Sequence, residues 1–341
     1  MIVILGGGVA GAAVAWGLSR AGRSDVVVYD PRQPGEGSTG KAMGGFRTQH
    51  GSRPNIDLAL RSRDWFKTRA GRVGFQPNGY LYLAETPAAK AELAARAEFQ
   101  SASGLPITHP DPASLVPFLA AADILSTNFC ALDGLYLPPQ VLAAFREEAA
   151  AAGATFCYGR PATPAELEDA EAVVIATGAW SKEVGKRLGV SLSVEPLERA
   201  VWKFGPFPWL DGLAVPMTLE AGSGYHFRER EGGLWVTGPG DQRAGDHFRD
   251  WLWRRVPAAA GSEPGASWFG DYEVTFDHHA LVGETERPGI WACCGFSGHG
   301  VMQSPAVGEG LAAMILGLTP PVDLAPLSPL RTEPLVDRTQ L

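Results

Sequence analysis

Gly6, Gly8 and Gly11 stand between two short apolar runs, Met1-Ile-Val-Ile-Leu5 and Val26-Val-Val-Tyr29, and the second run ends on Asp30. This order of residue types suits a dinucleotide. The first glycine permits a tight turn, the second lets backbone approach a pyrophosphate, and the third lets a helix pack closely on a strand. With Val9 and Ala10, these residues open a helical run to Arg20 whose unpaired N–H groups and dipole favour a diphosphate. Asp30 lies at the offset expected of an acid that accepts from ribose hydroxyls, and Pro31 and Arg32 directly after it are further candidate contacts. The alternative is a glycine-rich turn beside an unrelated acid.

A second constellation lies near the other end. The apolar strand Ile290-Trp-Ala-Cys-Cys294 runs into Gly295-Phe-Ser-Gly-His-Gly300, and a helix is expected from about Met302 to Leu316. Small residues at Gly295, Ser297, Gly298 and Gly300 let a flat ring lie against backbone. Free N–H groups and the positive dipole end near Val301 aim at whatever sits there. A plain tight turn is the competing reading. Between the two constellations, Pro31 to Gly51 is rich in Gly, Ser and Thr and too long for an ordinary connection, which marks a binding loop.

Several elements must position these residues. Helical spacing covers Pro54 to Ala70, an alanine-rich amphipathic helix spans Pro87 to Gln100, and Pro138-Pro139 is suited to opening a helix over Gln140 to Ala152. Strands are expected at Gly79–Ala84 and in Ala172-Val-Val-Ile-Ala-Thr-Gly-Ala-Trp180, which ends in a turn at Thr177 and Gly178. Short strand-like runs at Glu198–Phe204, Gly224–Arg230 and Leu234–Thr237 predict an antiparallel sheet in the second region. The proline-rich tail from Thr319 is expected to lie along the surface.

A chain of 341 residues is too long for one ordinary core, so two domains are the default. With 45% hydrophobic and 19% charged residues it reads as a soluble globular protein. The net charge of −8 argues against nucleic acid or an anionic membrane as partner. Cys130, Cys157, Cys293 and Cys294 have no metal-ligand spacing. Cys293 and Cys294 are adjacent in a strand, so they point to opposite faces and are expected as small core residues. No stretch approaches the ~18 apolar residues of a membrane helix. A cytoplasmic protein without metal is expected.

Taken together these segments resemble the FAD-dependent amino-acid and amine oxidoreductases of the D-amino-acid oxidase type, which include sarcosine oxidase, glycine oxidase and D-amino-acid dehydrogenases. The matching pieces begin with Gly6–Gly11 and Asp30, followed by Gly37-Ser-Thr-Gly-Lys-Ala-Met-Gly-Gly-Phe-Arg47, Gly79–Ala84 and Asp133-Gly134. Val173–Trp180, Gly224-Tyr-His-Phe-Arg228, Thr275-Phe-Asp-His-His279 and Gly295–Pro305 complete the set in the family's order. The resemblance implies an α/β fold: a discontinuous Rossmann-type FAD-binding domain over 1–78, 133–195 and 280–341, and a substrate domain over 79–132 and 196–279 with a mainly antiparallel sheet. It implies non-covalent FAD, because no cysteine stands where some relatives attach flavin.

The resemblance also assigns roles. Ser38, Thr39 and Lys41 would donate to phosphate or ribitol, with Ala42, Met43, Gly44 and Gly45 continuing that wrap. Thr177 and Gly178 would flank the cofactor, and Gly295, Ser297, Gly298, His299, Gly300, Val301 and Met302 would meet the flavin. Arg47 is the candidate anchor for a substrate carboxylate, the alternative being a surface or interdomain salt bridge, and Tyr225 the candidate pocket tyrosine, the alternative being an ordinary strand tyrosine. The expected reaction is two-electron oxidation of a C–N bond in an amino acid or secondary amine by hydride transfer to flavin N5, with oxygen or another acceptor taking the electrons. Three departures stand out: Met302 replaces a cation some relatives carry, Leu234–Thr237 lacks a lysine used for oxygen activation, and Gly159–Glu171 is too short for the usual β-meander. They keep open an FAD-binding subunit of a hetero-oligomeric amine dehydrogenase, with a partner subunit. An NAD-dependent dehydrogenase would leave the 37–47 and 295–305 motifs without a purpose.

Overall fold

The structure is a computed structural model and describes residues 1–337. β1 (Ile2–Leu5), α1 (Val9–Arg20) and β2 (Val26–Asp30) open the chain, followed by α2 (Ser38–Lys41) and β3 (Gly45–Phe46). Then come α3 (Arg53–Thr68), α4 (Ala70–Val73), β4 (Tyr80–Ala84), α5 (Pro87–Ala102), β5 (Ile107–Thr108), α6 (Pro112–Leu115), β6 (Ser126–Cys130) and β7 (Gly134–Leu135). The middle holds α7 (Pro138–Ala151), β8 (Thr155–Tyr158), α8 (Pro164–Glu168), β9 (Ala172–Ile175), α9 (Ser181–Arg187) and β10 (Glu195–Phe204). The last third holds β11 (Met217–Glu220), β12 (His226–Arg230), β13 (Gly233–Thr237), α10 (Asp246–Arg255), β14 (Ser267–Val274), β15 (Leu281–Glu284), β16 (Ile290–Cys294) and α11 (Gly300–Ile315).

Among the described residues a six-stranded sheet runs β15-β16-β9-β1-β2-β8, parallel except for the β15–β16 pair. β1 lies at its centre, and Ile2, Val3 and Ile4 are fully buried, as a strand covered on both faces requires. α1 and α11 cross on one side of this sheet. A Cβ at Gly17 would lie 2.4 Å from the Gly308 carbonyl oxygen, and one at Gly308 would lie 2.4 Å from that of Ala13. Only glycine at both positions lets the helices approach so closely, and the crossing fixes the two helices relative to each other. Cys293 and Cys294 face opposite sides of the sheet, each buried in a different apolar cluster.

An eight-stranded sheet runs β14-β10-β13-β12-β11-β4-β6-β5, antiparallel except for β11 beside β4. Leu81, Leu83, Phe227, Leu234 and Val236 form its outer core together with Phe248, Trp251 and Leu252 of α10. Tyr80, Tyr82, Met217 and Leu219 lie on the inner face. The expected elements are present: α5 starts at Pro87 as expected and α3 one residue early, while α7 and α11 start two residues early because their first turns sit in proline and glycine segments that carry no apolar period. Gly159–Glu171 holds only the short helix α8.

The tail differs from expectation. Leu324 and Leu327 are buried in the main core, and Arg331 grips Asp277 with two hydrogen bonds of 2.9 and 2.7 Å. Apolar residues spaced through a proline-rich segment dock it without regular structure. The final four residues of the expected tail lie outside the described residues.

Candidate active site

The glycine turn after β1 makes a cradle. Asp30 accepts from the Gly7 N–H at 2.8 Å and the Arg32 N–H at 2.9 Å, so the acid at the end of β2 is fixed against the turn. A Cβ at Gly11 would lie 2.0 Å from the Gly6 carbonyl oxygen, whereas one at Gly8 would meet only Thr39 Oγ1 at 3.3 Å. Gly11 is therefore needed for packing, and Gly8 leaves one side of the backbone open. Val9 opens α1 with its N–H on Thr39 Oγ1 at 3.1 Å, and Ala10 follows in the same turn. Tyr158 of β8 donates to the Gly7 carbonyl at 2.8 Å, a support that no motif announced. Pro31 and Arg32 follow Asp30, and the Arg32 guanidinium lies 3.7 Å from the Trp180 ring centroid. Thr177 shares a 3.1 Å hydrogen bond with Ser181, and Gly178 takes a positive φ of 60°.

The loop after β2 ties the two sheets together. Ser38 donates to the Asp271 carbonyl at 2.7 Å, so its hydroxyl is engaged by β14 rather than free for phosphate. The Lys41 carbonyl accepts from the Trp268 indole at 2.8 Å, and its side chain passes Gly270. Ala42 caps α2, and the carbonyls of Met43 and Gly44 accept from buried Arg228 at 2.5 and 3.1 Å. Gly45 begins β3, with Met217 so near that a Cβ would lie 2.7 Å from its methyl.

At the second constellation, Gly295 donates to the Glu273 carboxylate at 2.9 Å, and Ser297 donates to the Glu273 carbonyl at 3.0 Å. Burial pushes the Glu273 carboxyl up to about 7. Ser297 adopts a positive φ of 49°, and Gly298 faces the Tyr272 ring. His299 is the N-cap of α11, so the first-turn N–H groups of Gly300, Val301 and Met302 have no helical partner. Met302 itself is not in an open pocket. Its side chain is buried in the main apolar core with Val301, because the first turn of α11 packs on that core.

Arg47 is the centre of the remaining cluster. It is 5% exposed, donating to the Tyr82 hydroxyl at 2.9 Å and to His299 Nε2 at 2.6 Å. An arginine can only donate, so Nε2 must be the unprotonated nitrogen and His299 is neutral. Burial and the Arg47 charge both hold its pKa well below that of a free imidazole. The segment is fastened from behind. Asp133 accepts from the Thr48 N–H at 2.5 Å, the Thr48 hydroxyl at 2.6 Å and the Gln49 amide at 2.9 Å, and burial raises its carboxyl to about 6. Among the described residues no carboxylate forms an ion pair with Arg47, so the interdomain salt bridge is not present there. Fully buried His50 stands edge-on to His299 with ring centroids 5.0 Å apart.

Tyr225, expected to line the pocket, lies on the other side of the sheet. It packs with the outer core, stacks on Trp251, and shares a 2.8 Å hydrogen bond with His247. Side chains alternate along a strand, so the inner position falls to the next residue, His226. Burial and the charges of Arg47 and then Arg199 push the His226 pKa down to about 4. His226 was legible only to an argument that fixed the register of β12.

A family model described as FAD dependent oxidoreductase matches residues 1–314, nearly all of the chain. The chain belongs to this family. Glycine oxidase from Geobacillus kaustophilus is 30% identical to it over 96% of both chains, and the solved structure of that protein superposes with a TM-score of 0.83. FAD-dependent oxidoreductase domain-containing protein 1 from Xenopus laevis is 28% identical over 92% of this chain and 79% of its own length. L-proline dehydrogenase from P. horikoshii shares the fold, with a TM-score of 0.89 and 24% identity over 97% of this chain and 96% of that one.

The cofactor of this family is FAD, and the residues present fit it. Gly8 presents open backbone at a helix start, Asp30 is turned to the same cradle, and three N–H groups of α11 point from a second helix start. The residues that would hold FAD are those of the glycine turn, Asp30, Thr39 and the 295–302 segment. Among the described residues no helix is long and apolar enough to cross a membrane.

Proposed function

We propose that this FAD-dependent oxidoreductase oxidises a C–N bond in an amino acid or secondary amine of the glycine, sarcosine, proline or D-amino-acid class. The observation that carries the reading is Arg47, a buried guanidinium that makes no ion pair among the described residues and is held by the Tyr82 hydroxyl, His299 and the Gln49 carbonyl beside the start of α11, with Asp337 acting on it only as a charge at longer range. Burying a charge is costly unless it is paired, so the site favours an anion there. An α-carboxylate matches the planar fork of arginine. The 30% identity to a glycine oxidase supports the same substrate type.

FAD, when bound, supplies the two-electron acceptor that takes a hydride from the substrate carbon, leaving an imine for hydrolysis. The chain's own part is orientation and protonation control. Arg47 fixes one end of the substrate, and Asp133 fixes Arg47 through Thr48 and Gln49. His50, His226 and His299 are all held neutral, so they add no positive charge to that of Arg47. A cationic amine is also repelled by Arg47, which favours the free-base amine whose lone pair drives hydride loss. The α11 start stabilises negative charge that develops opposite it.

The electron acceptor is oxygen or a second protein. Burial of Met302 in the core and the run Leu234-Trp-Val-Thr237 leave no cation at either of these two positions. That favours, as a second reading, an FAD-binding subunit that passes electrons to a partner subunit. Anaerobic mixing of the purified protein with glycine, sarcosine, proline and D-amino acids tests both. Bleaching of the flavin band by one class supports oxidation by this chain alone. Bound FAD that no amine bleaches moves the function to the partner-dependent form.

A further inference from the structure

A second guanidinium lies on the same face of the eight-stranded sheet as the Arg47–Tyr82 pair. Registers place Tyr82 opposite Leu219, Leu219 opposite His226, His226 opposite Thr237, and Val201 opposite Trp268, all on the inner face of the eight-stranded sheet. Arg199 is two residues before Val201 on β10, so it projects to that same face. Its guanidinium lies 5.9 Å from the centroid of the Tyr272 ring, and Tyr272 is 37% exposed on the side of Gly298. The hydrogen bond it makes is to the Glu198 carbonyl at 3.2 Å, and Glu198 spends its own carboxylate on Arg243. Among the described residues Arg199, like Arg47, has no ion pair.

His226 stands on β12, two strands from β4 on one side and two from β10 on the other. Arg47, bonded to Tyr82 of β4, and Arg199 of β10 therefore approach it from opposite sides. Strands are about 4.8 Å apart, so the two flanking strands are roughly 19 Å apart along the sheet. The depressed pKa of His226 has both charges among its causes, as expected if both lie near one imidazole.

We propose that the substrate carries two carboxylates, one held by Arg47 and the second by Arg199 across His226. The inference rests on the reading of Arg47 as a carboxylate anchor and adds the substrate class. Two cations on one face of the sheet, neither in an ion pair among the described residues, repel each other, and a dianion relieves both at once. A substrate with a single carboxylate satisfies only Arg47. Anchors reached from strands four positions apart favour a glutarate-length spacing over a malonate-length one.

The test uses the FAD-loaded protein and ligands that cannot react. Perturbation of the bound flavin's visible spectrum gives dissociation constants for glutarate and for butyrate. Glutarate is expected to bind at least tenfold more tightly, and Arg199→Gln to reduce that preference to about twofold, with Arg199→Lys restoring part of it. Equal affinity for the two acids in the natural protein overturns the proposal, and so does a glutarate preference that survives Arg199→Gln. A shift in FAD affinity with Arg199→Gln, without loss of the preference, assigns Arg199 to the cofactor and overturns it as well. Anaerobic reduction separates this inference from the one beneath it. If no amine reduces the flavin while the glutarate preference and its loss in Arg199→Gln both hold, amine oxidation falls and the diacid site stands.

Discussion

The guanidinium of Arg47 donates to Nε2 of His299 at 2.6 Å, joining the segment after β3 to the N-cap of α11. Both residues come from glycine-rich segments that flank the candidate flavin site, and they are 252 positions apart in the chain. The contact requires a neutral imidazole, so the histidine serves as a fixed acceptor rather than a proton carrier. It leaves the rest of the arginine fork able to meet an anion.

Arg47→Ala should weaken binding of carboxylate-bearing amines strongly. Removing one member of a buried charge pair costs ~2–5 kcal/mol, which is roughly thirtyfold or more in affinity. Arg47→Lys should recover only part, because an ammonium cannot reproduce the fork. Saturation of the anaerobic flavin-reduction rate with substrate gives the constant. An Arg47→Ala protein with an unchanged constant removes this residue from the site.

The glycine turn makes a paired prediction. Gly11→Ala drives a Cβ to within 2.0 Å of the Gly6 carbonyl oxygen, so the variant should fail to fold or accumulate. Gly8→Ala meets only the Thr39 hydroxyl at 3.3 Å and should fold with a melting temperature close to that of the parent. Its FAD affinity should fall at least tenfold, because the methyl stands where a pyrophosphate approaches. Apoprotein melting and FAD titration separate the two effects. A folded Gly8→Ala with parental FAD affinity would remove Gly8 from the cofactor cradle.

Much of this arrangement was legible because chemistry and backbone demand coincide at glycines. Gly6, Gly8, Gly11 and the 295–300 loop had to stand at turns and close approaches, so residue type disclosed position. Asp30 was equally readable as an acid ending an apolar strand. Tyr225 was not, since a strand of alternating faces gives the wrong residue when its register is unknown by one. Met302 shows a related limit: a helix start exposes its N–H groups while its side chain enters the core. Tyr158 and Glu273 act through contacts between segments far apart in the chain, for which a single sequence carries no signal, and Asp133 was visible as a motif but not in its role of fastening Thr48 and Gln49. Ser38 has the right chemistry for phosphate and spends it on Asp271.

Glu273 supplies a pH dependence. Its folded pKa of about 7 lies above the value of 4.5 in the unfolded chain, because burial outweighs the Gly295 hydrogen bond. The folded state therefore binds the proton more tightly. This favourable contribution is fully present below about pH 4.5 and is lost as pH rises through about 7. Buried Cys293 and Cys294 both feel this carboxylate, and each thiol is held well above its ordinary pKa, so neither offsets the change near neutrality. Glu273→Gln should lack the loss. Between pH 5 and 8 its melting temperature should gain roughly 2–5 °C relative to the parent. Parallel melting curves across that range would show that Glu273 does not titrate there.

The tail makes the last prediction. Arg331 pairs with Asp277 through both arms of its fork, and Asp277 also receives the Leu335 and His279 N–H groups at 3.0 and 3.1 Å. Burial works against the Asp277 charge, yet these bonds hold its pKa down to about 2. A depressed carboxylate contributes stability above its unfolded pKa of about 3.8 and loses it as pH falls through the folded one. Arg331→Ala leaves that charge buried without its partner, at a cost of ~3–5 kcal/mol. Asp277→Asn in the same background should recover much of the loss, because the uncompensated charge is gone. Denaturant melts of the parent, both single variants and the double variant give the coupling. Losses that simply add would show that the pair carries no interaction energy and that the tail is held by Leu324 and Leu327 alone.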